Sequence, residues 1–305
     1  MPNVTGHPTP LPPQPRFQWQ GEALLVRAAA KINLNLLVGP VRTNGYHPVD
    51  SYVARVTLYD ELRLRSTNDG VVHLDCRGAD CGAVEENLAY RAARLLMDHC
   101  RVNKGVEIGL SKRIPPGKGL GGGSSDAAAA LLGLNALWNL NQPLPTLAEW
   151  AAQLGSDVPL FLSAPVVRMT GRGEIVEPLG DDTIYPFVAI LFLPDIFCGT
   201  KEVYQAFDRC PAVMSNQLSV SLLRQKPSRW RHLLDNQLLP PARQVSPAVG
   251  RMLKEIAHAT RVPISMSGSG SAAFILCDDA AEASALLGRL PSPWRDKALL
   301  VSRDR

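Results

Sequence analysis

The sequence predicts an α+β fold in two domains, and three observations carry that reading. A chain of 305 residues is long enough for two cores of ordinary size. Strand-like and helix-like stretches alternate without the strict βαβ rhythm of a doubly wound parallel sheet. The pattern also resets near residue 180, so the expected division is a disordered proline-rich tail over residues 1–20, one domain over 21–180 and a second over 181–305.

In the first domain, 21–27 and 32–37 read as strands joined by Ala28-Ala29-Ala30-Lys31, and 51–58, 61–66 and 71–76 as further strands. Residues 39–48 form a turn cluster around Asn44-Gly45, a strong hairpin-turn dipeptide. Residues 87–100 are an amphipathic helix with Leu88, Ala92, Leu95 and Leu96 inward and Arg91, Arg94 and Asp98 outward. A strand at 106–111 leads into a glycine-rich loop. Helices at 125–138 and 147–153 follow, then a hairpin, 166–170 with 173–178, around Gly171. In the second domain the expected strands are 187–193, 272–277 and 298–301, and the expected helices 200–207, 247–258 and 280–287.

Composition narrows the function. An excess of four positive charges is scattered along the chain, which disfavours nucleic acid and suits a small anionic substrate. The longest apolar run, 186–194, is too short to cross a bilayer, and the tail lacks the apolar core of a signal peptide. Six scattered cysteines without a CxxC pair point away from zinc and toward a reducing, cytoplasmic setting. No metal ligands stand out.

The loop holds most of the chemistry. Residues 114–126 read Ile-Pro-Pro-Gly-Lys-Gly-Leu-Gly-Gly-Gly-Ser-Ser-Asp, with five glycines between Gly117 and Gly123. Glycine lets main chain approach a ligand closely. Ser124, Ser125 and Asp126 are good helix N-caps, so loop and helix start together form a phosphate cradle. Lys118 is followed by Gly119, which breaks the Walker A pattern. The dinucleotide string Gly117-x-Gly119-x-x-Gly122 lacks its acidic partner about 20 residues on. A flexible linker remains the bland alternative.

Phosphoryl transfer would need a carboxylate at the acceptor hydroxyl, a cation and a bridging metal ion. Asp157, between Gly155-Ser156 and Val158-Pro159, is the carboxylate candidate, or else it caps a short helical turn. Lys31, in an apolar stretch, is the cation candidate, or else it snorkels to solvent. Lys118 is a rival cation. Tyr46 and His47 could engage a planar base or be an ordinary loop pair. Residues 265–271 could be a second anion nest or a tight strand entry.

Taken together, these segments are more specific than any one of them. Pro115-x-Gly117-x-Gly119-Leu120-Gly121-Gly122-Gly123-Ser124-Ser125 resembles the phosphate loop of the GHMP small-molecule kinases. Ala30-Lys31-Ile32-Asn33-Leu34, Arg42-x-Asn44-Gly45-Tyr46-His47, Gly155-Ser156-Asp157-Val158-Pro159 and Met266-Ser267-Gly268-Ser269-Gly270-Ser271 resemble the branch acting on a cytidine-diphosphate-linked methylerythritol in the non-mevalonate isoprenoid pathway. The resemblance implies a ribosomal-protein-S5-like N-terminal domain, a ferredoxin-like C-terminal domain and a site in the cleft between them. It implies ATP and Mg²⁺ as cofactors, Lys31 and Asp157 as catalytic residues, and Asn33, Tyr46 and His47 as substrate contacts. Pro116, Gly117, Lys118, Gly119, Leu120, Gly121, Gly122, Gly123, Ser124 and Ser125 would form the ATP site. No membrane or nucleic-acid partner is expected, and the protein would act as a monomer or homodimer. The competing readings are another kinase of the superfamily, acting on homoserine or mevalonate derivatives, and a catalytically silent nucleotide-binding module. Lys118 departs from the small residue usual there, and Asp235-Asn236-Gln237-Leu238 departs from the pattern in the second domain.

Overall fold

The structure is a computed structural model that describes residues 10, 16–43, 45–79, 82–209 and 218–304. Among these the elements run β1 (Phe17–Gln20), β2 (Ala23–Asn33), β3 (Leu37–Val38), β4 (Val49–Thr67), β5 (Val72–Gly78), α1 (Leu88–Cys100), β6 (Gly105–Lys112), α2 (Gly122–Leu137), α3 (Leu144–Leu154), β7 (Val166–Thr170) and β8 (Ile175–Pro178). The second part follows with β9 (Val188–Phe192), α4 (Thr200–Asp208), α5 (Val220–Leu223), α6 (Leu239–Val245), α7 (Pro247–Thr260), β10 (Ser265–Met266), β11 (Ala273–Cys277), α8 (Ala280–Arg289), α9 (Ser292–Arg295) and β12 (Ala298–Ser302).

Strands β1 to β8 form one sheet whose main path is β1-β2-β4-β6-β5, with β3 and the β7–β8 hairpin attached to the first half of β4. β5 and β6 are parallel and are joined through α1; the other pairs are antiparallel. The second sheet, β10-β11-β9-β12, is antiparallel throughout. With α7 between β9 and β10 and α8 between β11 and β12, it is ferredoxin-like.

Several expected boundaries are corrected. Phe17–Gln20, assigned to the disordered tail, pairs with β2 through a turn at Gly21, whose φ is +63°. The rest of that tail lies outside the described residues except Pro10 and Arg16, as does Asn44 of the expected turn dipeptide. Residues 23–33 form one strand, because Ala28–Lys31 keep pairing with β4 across a bulge between Ala29 and Ala30. The two strands expected at 51–58 and 61–66 are likewise one 19-residue strand. Cys76 is disulfide-bonded, so the expectation of scattered thiols fails there; Cys100, Cys198 and Cys277 are free.

Helix α2 sets the geometry of everything near the glycine loop. Ala127, Ala128, Ala129 and Ala130 are all fully buried, as in a helix enclosed on every side. A side chain at Gly133 would meet Leu64 and Val26 at 2.5 and 2.7 Å, so α2 lies directly on β2 and β4. That close packing fixes where the helix N-terminus points.

Candidate active site

β2 carries its residues alternately to two faces. Ala30, Ile32 and Leu34 enter an apolar cluster with Phe187, Phe274 and Trp230. Lys31 and Asn33 point the other way, and with Asn35 they are buried at 4%, 2% and 1% exposure. Lys31 Nζ donates to Asn33 Oδ1 at 2.5 Å, Asn33 Nδ2 to Ser51 Oγ at 2.8 Å, and Ser51 Oγ to the Asn35 carbonyl at 2.5 Å. Snorkelling is therefore not what Lys31 does. Burial pushes its pKa below the usual lysine value, and the negative charge of Asp157 opposes that shift.

The glycine loop is held on three sides. The Lys31 amide donates to the Leu120 carbonyl at 3.0 Å, and the Leu120 side chain is buried in the same apolar cluster as Ile32. The Ala272 amide donates to the Lys118 carbonyl at 3.2 Å, and Ser267 Oγ to the Gly119 carbonyl at 2.9 Å. Lys118 Nζ donates to the Ile196 carbonyl at 2.7 Å, so this lysine ties the loop to the segment after β9. Burial lowers the Lys118 pKa, and Asp195 counters it.

Gly117, Gly119 and Gly121 all have left-handed φ, at +66°, +76° and +70°. The reason differs at each. Added at Gly119, a Cβ would sit 2.1 Å from the Ser267 carbonyl oxygen; at Gly121 it would sit 2.8 Å from the Phe161 ring. Gly121 is also the N-cap of α2, and no side chain caps that end. This corrects the expected capping by Ser124, Ser125 and Asp126, which lie inside the first turns. The first N–H groups of α2 are left without a capping side chain, which is the arrangement that binds anions.

Asp126 has a different partner altogether. It is 2% exposed and shares Lys112 Nζ with the fully buried Asp60, at 2.7 Å on the Asp126 side. Burial drives the Asp126 pKa well above the usual carboxylate range, against the attraction of Lys112.

Asp157 follows the end of α3. The short 3-10 turn at Pro159–Leu162 has Val158 as its N-cap and no side-chain cap, so the capping alternative for Asp157 is not realised. Asp157 Oδ1 lies 3.4 Å from where a Cβ on Gly173 would be, in the β7–β8 turn. Tyr204 of α4 is pushed up to about 12 by burial and, secondarily, by the charge of Asp157.

These groups meet in one cavity of about 620 Å³. Lys31, Asn33, Tyr46, His47, Gly119, Gly121, Ser124 and Asp157 all line it, and Gly268 and Ser269 close its second-sheet side. Pro116, Gly117, Lys118, Leu120, Gly122, Gly123 and Ser125 do not. His47 spans the cleft: Nδ1 donates to the Gly39 carbonyl at 2.9 Å, Nε2 lies 3.2 Å from Asp208 Oδ1, and the ring packs against Tyr204 and Phe207. Tyr46 is 55% exposed with the Arg172 guanidinium 5.0 Å from its ring centre.

Sequence reasoning passed over Arg172, Thr200, Lys201, Tyr204 and Asp208, which also line the cavity. Tyr204 and Asp208 stand four apart on α4, a spacing that puts both on one helix face. The departing segment at 235–238 is also explained. Asn236 Nδ2 donates to the carbonyls of Met266 and Gly268 at 2.7 and 2.8 Å, fixing the second Gly/Ser loop.

The family model for the GHMP kinases N-terminal domain matches residues 87–164, and the one for the GHMP kinases C-terminal region matches 218–296. A 4-diphosphocytidyl-2-C-methyl-D-erythritol kinase of Prosthecochloris aestuarii is 35% identical over 90% of this chain and 96% of its own length. The chain belongs to the 4-diphosphocytidyl-2-C-methyl-D-erythritol kinase family. A relative of the same name from Pelotomaculum thermopropionicum is 38% identical over 90% of this chain and 96% of its own. A crystal structure of 4-(cytidine 5'-diphospho)-2C-methyl-D-erythritol kinase superposes with a TM-score of 0.76 at 34% identity, covering 92% of this chain and 99% of that one. A homoserine kinase from Cytophaga hutchinsonii, at 18% identity and a TM-score of 0.69 over 95% of this chain and 98% of that one, shares the fold alone. The protein is thus a GHMP phosphotransferase that uses ATP, and membership of this family displaces the homoserine, mevalonate and silent-module readings.

Proposed function

We propose that this protein transfers the γ-phosphate of ATP to the 2-hydroxyl of 4-diphosphocytidyl-2-C-methyl-D-erythritol, within the methylerythritol phosphate route to isoprenoids. One observation carries the assignment of roles: Lys31, Asp157, the start of α2 and the Tyr46–His47 pair converge on a single cavity. The N-terminus of α2 and the backbone of Gly119 and Gly121 receive the phosphates. Asp157 accepts or orients the proton of the acceptor hydroxyl. Lys31, held by Asn33 with its remaining N–H groups free to donate, lines the cavity with Asp157 and offsets charge on the transferring group. Tyr46 and His47 take the cytosine, His47 being already oriented by Gly39 and Asp208.

Among the described residues no group of three or more His, Cys, Asp or Glu forms a metal cage. The donor set in the cavity, the Ser124 hydroxyl and the Asp157 carboxylate, fits Mg²⁺ carried in by ATP, since Mg²⁺ favours one or two protein oxygens together with phosphates and water. Held there by Ser124 and Asp157, it would supply positive charge to offset that of the phosphates. No helix among the described residues is long and apolar enough to cross a membrane.

The test is an ATP-consumption assay with 4-diphosphocytidyl-2-C-methyl-D-erythritol, mevalonate and homoserine as rival acceptors. Turnover with the cytidine compound alone is expected. Absence of turnover with it would overturn the proposal.

A further inference from the structure

Behind the first turn of α2, a second and much smaller cavity of about 20 Å³ is lined by Arg16, Arg27, Arg55, Tyr59, Ser125, Phe161 and Asp304, with Ala29. Ser125 lines this cavity and not the cleft, although the sequence assigned it to the ATP loop. Three guanidinium groups meet here, and arginine does not lose its proton at any ordinary pH. Arg27 Nη2 donates to Gln18 Oε1 and Arg55 Nη1 to the Ser163 carbonyl, both at 3.3 Å. Arg27 Nε pairs with Glu61 at 3.3 Å, and Arg55 Nε lies 3.4 Å from Asp304 Oδ2 without forming a hydrogen bond. The other Asp304 oxygen accepts from Tyr59 Oη at 2.7 Å. Arg16 Nη2 donates to the Phe161 carbonyl at 2.6 Å, which carries no charge.

Among the described residues, then, Arg16 and Arg55 face the single carboxylate of Asp304. The Nε atoms of Arg16 and Arg55 are both buried and have no hydrogen-bond acceptor. Burial, together with the charge of Arg55, pushes Arg16 down to about 10. A buried unpaired charge is among the costliest features a fold can hold. A water molecule would satisfy the N–H groups and leave the charge. A small monovalent anion satisfies both, and the cavity has room for a single particle of about that size.

We propose that this cavity is a binding site for a single halide-sized monovalent anion, held between Arg16 and Arg55 beneath the first turn of α2. Its occupancy is linked to the glycine loop: Arg16 holds the Phe161 carbonyl, and the Phe161 ring packs against Gly121. The anion binds the folded chain only, so it stabilises by mass action.

The protein is prepared in gluconate and titrated with sodium chloride or sodium bromide at constant ionic strength while the melting temperature is followed. A saturable rise of about 4 °C is expected for either halide at roughly a hundredfold excess over its Kd. Arg16→Gln, close to the chain start, should abolish the rise. A bromide-soaked crystal should show an anomalous peak within hydrogen-bond reach of Arg16 and Arg55. Equal melting curves in gluconate and halide, an undiminished halide effect in Arg16→Gln, or bromide bound only elsewhere would each overturn the assignment. Should Arg16→Gln fail to fold, the bromide peak in the unaltered protein decides alone.

Discussion

Replacing Gly119 by alanine puts a methyl carbon 2.1 Å from the Ser267 carbonyl oxygen and 2.9 Å from its carbon. Both are backbone atoms, so no side chain can swing aside, and the loops must part by more than about 1 Å to reach ordinary contact. Overpacking of that kind costs about 1–3 kcal/mol. Alanine must also adopt φ near +76°, at about 1–2 kcal/mol more. The sum is about 2–5 kcal/mol. Gly117 supplies the control, because its φ is +66° but nothing lies within 4 Å of an added Cβ. Gly117→Ala should therefore cost only the backbone share, about 1–2 kcal/mol. Urea unfolding of both variants, with ATP affinity by calorimetry, separates the contributions. Gly119→Ala should be the less stable by about 1–3 kcal/mol and should bind ATP at least tenfold more weakly. Equal stability in the two variants, or unaltered ATP affinity in Gly119→Ala, would refute the idea that the two loops are pressed together across Gly119.

Asp157→Asn should lower kcat by about 10²–10⁴ while leaving the ATP dissociation constant within about threefold, read from steady-state kinetics and calorimetry. Lys31→Met should also abolish turnover yet raise the melting temperature, because it removes a buried ammonium. The native lysine's pKa is depressed, so between that value and about 10.4 the unfolded chain binds more protons and stability rises with pH. Melting curves across that window should show the rise in the native protein and its loss in Lys31→Met. At Asp126 the sign reverses: its folded pKa is raised, so its contribution is greatest below about 4 and falls as pH climbs toward the raised value. Asp126→Asn should flatten that slope at little cost, whereas Lys112→Met, stranding two buried carboxylates, should cost about 3–5 kcal/mol in urea unfolding. Asn236→Ala strips the Met266 and Gly268 carbonyls of their donor; a loss of about 2–4 kcal/mol and a higher KM for ATP are expected.

What could be read in the chain was whatever is local. The glycine loop, Lys31, Asp157 and Tyr46–His47 each announce themselves within a few residues, and the structure brings them to one cavity. The continuity of β2 through Ala28–Lys31 was hidden because three alanines carry no strand signal; only pairing with β4 keeps them extended. The 19 residues of β4 were split in two because the fully buried Asp60 interrupts the apolar pattern, and its partners, Lys112 Nζ and the Arg113 and Ile114 amides, lie 52 to 54 residues away. Capping propensity misplaced the start of α2 because Gly121 takes the N-cap position and the Asp126 carboxylate bonds to Lys112 of β6 and not to its own helix. Arg172, Tyr204 and Asp208 are ordinary in sequence. They become site residues only when the β7–β8 turn and α4 are set across from each other.

The polar seam behind Lys31 has a direction. An ammonium can only donate, so Asn33 must turn its oxygen toward Lys31 and its amide N–H toward Ser51. Ser51 must then spend its only hydrogen on the Asn35 carbonyl, which has none to return. Every hydrogen in the relay is aimed away from the cleft, and none can pass back along it. The seam therefore orients the lysine, and because it ends on a peptide carbonyl, too weakly basic to take up a proton at ordinary pH, it offers no proton sink behind the cleft.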